Sequence, residues 1–415
     1  MSGTRPDRHT GTSPTPMVLT PWQAVVGFGV VSLAADMVYE GARAVTGPLL
    51  GQLGATALLV GVVTGAGEAA ALVLRLVFGT AADRTGRYWG LTFTGYAMTA
   101  VTVPLLAVTP FVGAAGLALA GLLVLAERAG KAVRSPAKST LLSYAAEGVG
   151  LGRGFGVHKA LDQVGAFAGP LAVAGIAALT GALWPGLAAL AVPGAASMLL
   201  LLWLRRRVSA PAAPDRPVGV VDVRQPRLPR AFWMFAASSA AATAGLVTFG
   251  VIAFHLSRQQ LVSDALIPVV YGGAMAVEAL AAVVVGLLFD RVGGRVLYAL
   301  PFLVAAVPAL AFGASLSLVL AGVALWGAAT GLQDSTVKAL VAQLVPAGRR
   351  ATAYGLFAAV QGGAALVGGT LAGALYERSL PALVVIVGVT QVVALVLYAV
   401  TLRAGRRRRG TISSQ

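Results

Sequence analysis

Twelve stretches of mainly apolar residues run through this sequence, and they constrain its fold more than any other feature. Hydrophobic residues make up 57% of the chain, charged residues only 11%, and the mean hydropathy is +0.82. A soluble domain is far less apolar, whereas a helix that crosses a bilayer needs about 20 such residues. We therefore predict twelve transmembrane helices, called spans 1 to 12, at about 21–48, 55–80, 88–110, 113–136, 152–178, 183–204, 231–256, 265–289, 295–314, 317–343, 350–376 and 382–402.

Three polar segments lie outside the spans. Residues 1–20 form a polar N-terminal tail, residues 205–230 a Pro- and Arg-rich linker, and residues 403–415 a basic C-terminal tail. The linker separates six spans in residues 21–204 from six spans in residues 231–402. The first apolar stretch is too long and too charged for a cleavable signal peptide, so we expect it to remain as the first helix. The chain has no cysteine, which excludes disulfides and cysteine-ligated zinc.

Basic residues are distributed unevenly over the predicted loops. Lys and Arg number 31 against 15 Asp and Glu, a balance that in a soluble chain would suggest nucleic-acid binding. With both termini in the cytoplasm, the inner loops, linker and C-terminal tail hold nearly all loop arginines, and the outer loops hold only Arg258 and Arg378. This asymmetry follows the positive-inside rule, so it indicates topology and no nucleic-acid partner. We expect a multi-pass protein of a bacterial plasma membrane with both termini cytoplasmic.

One loop motif occurs twice. The segment GTAADRTGR begins at Gly79 after span 2, and GLLFDRVGGR begins at Gly286 after span 8. Both read G-x-x-x-D-R-x-G, and both occupy the same position of their half. A six-helix unit is therefore duplicated in parallel orientation, which is the plan of one large class of secondary transporters.

On these motifs the sequence resembles the major facilitator superfamily (MFS) of secondary transporters over nearly its whole length. The resemblance implies an all-α integral membrane protein, in which twelve transmembrane helices form two six-helix bundles related by a pseudo-two-fold axis. It also implies that the repeated loop is a conformational latch, formed by Gly79, Asp83, Arg84, Gly86, Arg87, Gly286, Asp290, Arg291, Gly293 and Arg295.

In that latch, an Asp binds the start of a helix in the opposite half when the outer gate is open. Asp83 is expected to meet the start of span 11, near Arg349 and Arg350. Asp290 is expected to meet the start of span 5, near Arg153. Helix N-termini and arginines both favour a carboxylate. The alternative is that these are ordinary turn residues with arginines that fix the topology.

Span 5 carries a second resemblance. Gly156, Gly165, Gly169 and Pro170 follow the G-x8-G-x3-G-P spacing of the superfamily's proton-coupled exporters, although Val173 and Ala174 replace the final glycine pair. Small residues let helices approach closely and proline bends them, which suits an interface where two bundles rock against each other, and simple packing is the alternative. Span 4 matches a third family motif only at Arg128, because Lys131 and Ala132 stand where Gln and Gly occur.

Ionisable residues are confined to certain spans. A charge in hydrocarbon costs at least about 2.5 kcal/mol, so such residues should face protein or a wet cavity. The interiors of spans 3, 6, 9 and 12 have none and can face lipid, whereas the resemblance places spans 1, 4, 7 and 10 around a central cavity. Ionisable residues occur within spans 1, 2, 4, 5, 8 and 10. They are Asp36, Glu40, Arg43, Glu68, Arg75, Glu127, Arg128, Lys131, His158, Lys159, Asp162, Glu278, Asp334 and Lys338.

Asp36, near the middle of span 1, is our first candidate for proton coupling. Glu40 lies one helical turn further on the same face and can pair with Arg43. A neighbouring carboxylate and low dielectric both favour the protonated form of an acid, so Asp36 can carry a proton. The alternative is a structural ion pair with Arg128 or another base. Further candidates for the coupling site are Glu68, Glu278 and Asp162.

Other polar side chains are candidates for lining the substrate cavity. The cavity candidates are Glu40, Arg43, Glu127, Arg128, Lys131, Gln333, Asp334 and Lys338. We expect Asp334 and Lys338 to form an intrahelical pair. Arg134 and Lys138 are expected to reach water at the membrane boundary, and His158 and His255 to be solvated. Neither histidine is accompanied by a set of metal-ligating residues, so no metal site is predicted.

The leading hypothesis is a secondary transporter that works by alternating access and exports small amphipathic compounds in exchange for protons. The alternative within transport is proton-driven uptake of a small metabolite such as an organic anion, suggested by Arg43, Arg128 and Lys131. A membrane receptor or scaffold is a further alternative, and an enzyme is not expected. No phosphate-binding loop is present, so no cofactor is predicted. The expected partners are lipid, substrate and protons, and the chain is expected to be a monomer.

Overall fold

The computed structural model describes residues 19–208, 228–345 and 350–412, and no side chains at 338, 339, 342, 350, 351 and 403–412. Nearly all of the predicted N-terminal tail (1–20), most of the predicted linker (205–230) and Arg349 lie outside the described residues. The first half comprises Pro21–Gln52, Ala57–Thr85, Tyr88–Leu105 with Leu106–Phe111, Gly116–Ala146, Leu151–Thr180, and Leu183–Ala189 with Ala191–Arg205. The second half comprises Arg230–Gly245 with Phe249–Arg258, Ile267–Val292, Gly293–Tyr298 with Ala299–Ala311, Leu316–Leu344, Arg350–Arg378 and Leu380–Ile412.

These helices correspond one to one with the twelve predicted spans. Eleven stretches of the described residues are long and apolar enough to cross a membrane, and Ile267–Ala311 holds spans 8 and 9 together. We call the end of the bundle that holds Pro21 and Leu402 the tail side, and the opposite end the far side. The predicted all-helical fold of two six-helix halves is confirmed.

Two helices extend beyond their predicted ends on the tail side. Span 4 continues to Ala146, although we expected it to end at about 136. Span 12 continues to Ile412, so the backbone of 403–412 is helical where we expected a tail. A hydropathy count detects only the apolar part of a helix, and Pro136 does not end span 4 because membrane helices tolerate proline.

The shared glycine of the repeated loop motif has a positive φ in both halves. Gly86 follows span 2 with φ of 63°, and Gly293 follows span 8 with φ of 64°. Their ψ values differ, 7° for Gly86 and −152° for Gly293, but side chains disfavour this positive φ in either case, whereas glycine adopts it readily. The shared glycine of the motif is therefore required by the sharp turn into the next span.

Span 7 is interrupted at residues 246–248, between Arg230–Gly245 and Phe249–Arg258. The indole N–H of Trp326 in span 10 donates to the Val247 carbonyl at 2.8 Å, which satisfies a backbone group freed by the break. The hydroxyl of Thr248 bonds that of Thr64 in span 2 at 2.8 Å. The break thus lies where the two halves meet.

The halves meet closely on the far side. Gly47 of span 1 packs against the backbone of Gly250 in span 7, and Gly61 of span 2 packs against Gly369 in span 11. Polar contacts join the same surfaces, since Gln52 donates to Asp264 at 2.7 Å. Towards the tail side, by contrast, the side chains of Lys159 and Asp334 are exposed. The far side is closed in this structure.

Candidate functional site

Asp36 is paired with a base from span 4. Its carboxylate lies 3.6 Å from the guanidinium of Arg134, and the two side chains are 13% and 4% exposed. Arg134 also donates to the hydroxyl of Thr99 in span 3. The expectation that Arg134 reaches water is wrong, because span 4 continues past it and buries it among spans 1 and 3. The partner of Asp36 is therefore Arg134, where the sequence suggested Arg128.

A second carboxyl lies near Asp36. It belongs to Asp162 of span 5, whose charge acts on Asp36. Asp162 is in turn bonded by the ammonium group of Lys159 at 3.0 Å, and Lys159 is 65% exposed. Two ionised carboxylates repel each other, so their proximity favours a proton on one of them. The second carboxyl beside Asp36 thus comes from another helix and not from Glu40.

Glu40 belongs to a separate network of charges. It lies 3.7 Å from Arg43, which binds Glu68 of span 2 at 2.9 Å. Arg128 lies 3.6 Å from Glu68 and 3.7 Å from Glu127, so the acids and bases alternate. Opposite charges at these distances stabilise each other inside a membrane, where a lone charge is costly. We call Glu40, Arg43, Glu68, Glu127 and Arg128 the charge network.

Two further residues attach to the charge network. The ammonium group of Lys131 lies 4.0 Å from Glu40 and 3.3 Å from the centre of the Tyr39 ring, a cation–π contact. Tyr271 of span 8 donates its hydroxyl proton to Glu40 at 2.5 Å. Because Tyr271 belongs to the second half, the network of the first half is bonded directly across the interface.

The second half contributes mainly neutral polar groups. Gln333 of span 10 donates to Thr243 of span 7 at 2.7 Å, and Thr243 also bonds Gln361 of span 11. Asp334 is exposed, and the predicted pair with Lys338 involves a side chain outside the described residues. Glu278 is half-buried, and no hydrogen bond or ion pair joins it to the side chains that the structure describes.

A buried cluster around Ser32 was not predicted. The Ser32 hydroxyl contacts Tyr96 at 3.1 Å and His158 at 2.9 Å, and accepts from Lys138 at 3.0 Å. His158 is buried, so the expectation that it is solvated is wrong, and Lys138 does not simply reach into water. The cluster joins spans 1, 3, 4 and 5 one turn below Asp36. To predict this cluster from sequence, one would have to know that span 4 continues to Ala146 and so carries Lys138 inside the bundle.

His255 is also buried, against our expectation. Its Nδ1 contacts the hydroxyl of Tyr376 at 2.8 Å, and its Nε2 contacts the carbonyl of Gly313 at 3.1 Å. Both ring nitrogens are therefore satisfied within the protein. The histidine links span 7 to span 11 on the far side.

The predicted latch is not engaged in the described part of the chain. Asp83, Asp290 and Arg153 are exposed, and no ion pair joins Asp290 to Arg153. The arginines expected near Asp83 lie outside the described side chains. A latch that forms when the far side opens should be released in this closed form, so the role of the loop stays a prediction.

The glycines of span 5 face different surroundings. Gly165 and Gly169 pack against the backbone of Leu33 and Met37 in span 1, and a Cβ at either position would overlap a carbonyl oxygen. Pro170 is buried beside them, whereas Gly156 has open space around it. Two of the three glycines are thus needed for the contact between spans 1 and 5.

Within the described residues, no group of three His, Cys, Asp or Glu side chains could hold a metal ion. The polar residues that spans 1, 2, 4 and 5 bring together can instead hold and exchange protons and bind small polar groups. They lie between the two halves, on the tail side of the closed contacts.

Comparisons with known proteins agree with this architecture. The Major Facilitator Superfamily profile matches residues 28–277 and 249–415. An uncharacterized protein of Mycobacterium tuberculosis is 51% identical over 384 residues, covering 91% of this chain and 93% of that protein. An uncharacterized MFS-type transporter of Methanocaldococcus jannaschii is 26% identical over 363 residues, covering 85% of this chain and 88% of that protein.

The fold is also found among solved structures. A POT family transporter in complex with a thioalcohol-conjugated peptide superposes with a TM-score of 0.74 at 13% identity, covering 93% of this chain and 96% of that chain. At this identity the likeness concerns the fold alone. The superfamily profile, however, covers both six-helix halves. The chain therefore belongs to the Major Facilitator Superfamily.

Proposed function

We propose that this protein is a proton-coupled exporter of small amphipathic compounds. Its family and fold support a secondary transporter in a membrane. The proposal adds the proton, the direction and the class of compound. It places both termini and the tail side in the cytoplasm, following the distribution of arginine over the loops.

The observation that carries proton coupling is the position of Asp36 between Arg134 and Asp162. Arg134, 3.6 Å away, favours a charged Asp36, whereas the nearby carboxyl of Asp162 favours a proton on one of the two acids. The two influences oppose each other, so a small change in distance can move the proton. Asp162 is paired with Lys159, which is exposed towards the tail side. A proton on Asp162 can therefore exchange with water on that side.

The other coupling candidates are less suited to carry a proton. Glu68 lies within 4 Å of two guanidinium groups, those of Arg43 and Arg128, so ion pairing accounts for its position. Glu278 has no such partner among the described side chains and remains the second candidate. We expect Asp36 and Asp162 to act as one unit, because two interacting carboxyls titrate together.

Export is supported by the span 5 spacing and by the charge balance of the cavity. The uptake alternative relied on Arg43, Arg128 and Lys131 attracting an anion. Each of these cations lies within 4 Å of a glutamate, so little positive charge is left to bind a substrate. Export of amphipathic compounds therefore has more support than uptake of an anion.

The test begins with cells that contain or lack the gene, exposed to a compound library at two external pH values. Compounds that accumulate less when the gene is present are then given to purified protein in vesicles that contain a pH indicator. Substrate addition should move protons in the wild type, and Asp36→Asn should abolish this while the protein still folds.

Glu147→Gln is the control, because Glu147 is an exposed acid at the end of span 4. Unchanged proton movement in Asp36→Asn would overturn the coupling site. If no amphipathic compound changes its accumulation, the proposed substrate class is wrong.

A further inference from the structure

Two grooves lie on the outside of the second half. One groove of about 640 Å³ runs between spans 8, 9 and 10. Leu280, Val284 and Leu288 form its rim on span 8, and all three are exposed. They are four residues apart, so they line up along one face of the helix. We call this depression the tail-side groove.

Small residues from three helices help to line the tail-side groove. Ala281 of span 8, Ala299 of span 9 and Ala328 of span 10 lie along it. It extends from Val277 to Val292 on span 8, a distance of about 22 Å at 1.5 Å per residue. One leaflet contributes about half of a 30 Å hydrocarbon core. The groove is therefore long enough to hold one acyl chain through its leaflet.

The tail-side end of this groove carries a positive charge. Arg295 lines the groove and is exposed, and Arg291 is exposed one turn before it. No acidic residue lines the groove among those the structure describes. An arginine at the level of the lipid headgroups can bind a phosphate through two parallel hydrogen bonds.

A second groove provides an internal comparison. It has a volume of about 460 Å³ and lies nearer the far side, between spans 8 and 10. Its lining includes Val269, Gly273 and Leu320, and it contains no charged residue. Both grooves can hold hydrocarbon, but only the tail-side groove offers a partner for an anionic headgroup.

We propose that the tail-side groove is a binding site for an anionic phospholipid of the leaflet on that side. One acyl chain lies along Leu280, Val284 and Leu288, and the headgroup phosphate binds Arg295. Basic pockets beside membrane helices attract anionic lipids through the same charge complementarity. The site is outside the central cavity, and it does not depend on the direction or coupling of transport.

The test compares two lipids with identical acyl chains, phosphatidylglycerol and phosphatidylcholine, each titrated into the detergent-solubilised full chain. Native mass spectrometry counts the lipids retained. Wild type should retain phosphatidylglycerol more tightly. Arg295→Gln should weaken phosphatidylglycerol about fivefold, the effect of removing one basic group near an anionic surface, and leave phosphatidylcholine unchanged.

The matched control is Arg87→Gln, since Arg87 ends the same loop motif in the first half and is also exposed. It should leave the retention of both lipids unchanged. Ala299→Phe fills the tail-side groove and should weaken both lipids there, whereas Gly273→Leu in the other groove should preserve the preference for phosphatidylglycerol.

Equal retention of the two lipids by wild type would overturn the proposal. So would equal losses in Arg295→Gln and Arg87→Gln, which would indicate a diffuse effect of charge. An unchanged affinity in Ala299→Phe would show that the acyl chain lies elsewhere, whatever the behaviour of Arg295→Gln.

Discussion

The carboxylate of Glu377 in span 11 accepts a hydrogen bond at 2.9 Å from the backbone N–H of Ala57, the first residue of span 2. An acid of the second half thus caps a helix of the first half. The contact has the same chemistry as the latch predicted for the tail side, a carboxylate at the start of a helix. It belongs to the contacts that join the two halves on the far side.

Glu377→Ala should shift the protein towards far-side opening. Loss of the charged cap should cost the closed form about 1 kcal/mol, which is about fivefold in the ratio of closed to open molecules. The chain has no cysteine, so a single cysteine at Thr248 can report far-side access through its labelling rate. Labelling should be faster in Glu377→Ala than in the same reporter with Glu147→Ala. Equal rates would show that the cap does not control closure.

Arg134 should contribute to stability through its pair with Asp36. Arg134→Gln leaves a nearly buried carboxylate without its base, which should cost about 3 kcal/mol. Asp36→Asn added to Arg134→Gln removes that charge and should recover much of the loss. Thermal unfolding in detergent compares Arg134→Gln, Asp36→Asn and the double variant with wild type. Additive effects of the two substitutions would contradict a direct interaction between them.

Two glycines of the span 5 motif, Gly169 and Gly156, should respond differently to alanine. A methyl group at Gly169 meets the Met37 backbone, so Gly169→Ala should destabilise by about 1–3 kcal/mol. Gly156→Ala is the matched control, since nothing lies within 4 Å of the added Cβ. It should leave stability unchanged or raise it by up to about 1 kcal/mol, because alanine favours helix. If both variants melt alike, close approach to span 1 does not explain Gly169.

Ser32→Ala should destabilise the junction of spans 1, 3, 4 and 5. The substitution leaves Tyr96, His158 and Lys138 without the hydroxyl that they share, which should cost about 1–3 kcal/mol. Ser139→Ala serves as control, because Ser139 is exposed and bonds only its own helix. A melting temperature equal to that of the control would show that water replaces the hydroxyl.

The spans themselves were predictable because each needs a long apolar run, which hydropathy detects directly. Their polar ends were not, as span 4 demonstrates. Hydropathy ends span 4 at about residue 136, which puts Arg134 and Lys138 at the membrane boundary. The structure places both inside the bundle because ten more residues of helix follow Pro136.

Pairing between helices was the other limit. Helical periodicity predicted that Glu40 and Arg43 share a face, and they do lie 3.7 Å apart. It gives no information on which distant helix supplies a partner, so neither the bond from Arg134 to Asp36 nor that from Tyr271 to Glu40 was expected. The glycine of the repeated loop was found as a motif, but its positive φ required coordinates.

The far-side contacts between Gly47 and Gly250, and between Gly61 and Gly369, bring backbone against backbone. Ordering a long side chain on closure loses up to about 2 kcal/mol of rotamer entropy, and glycine has no rotamers to lose. Such surfaces can separate and rejoin without repacking. A gate faced with glycine can therefore open and shut repeatedly with little conformational entropy at stake, which suits a protein that must do so in every turnover.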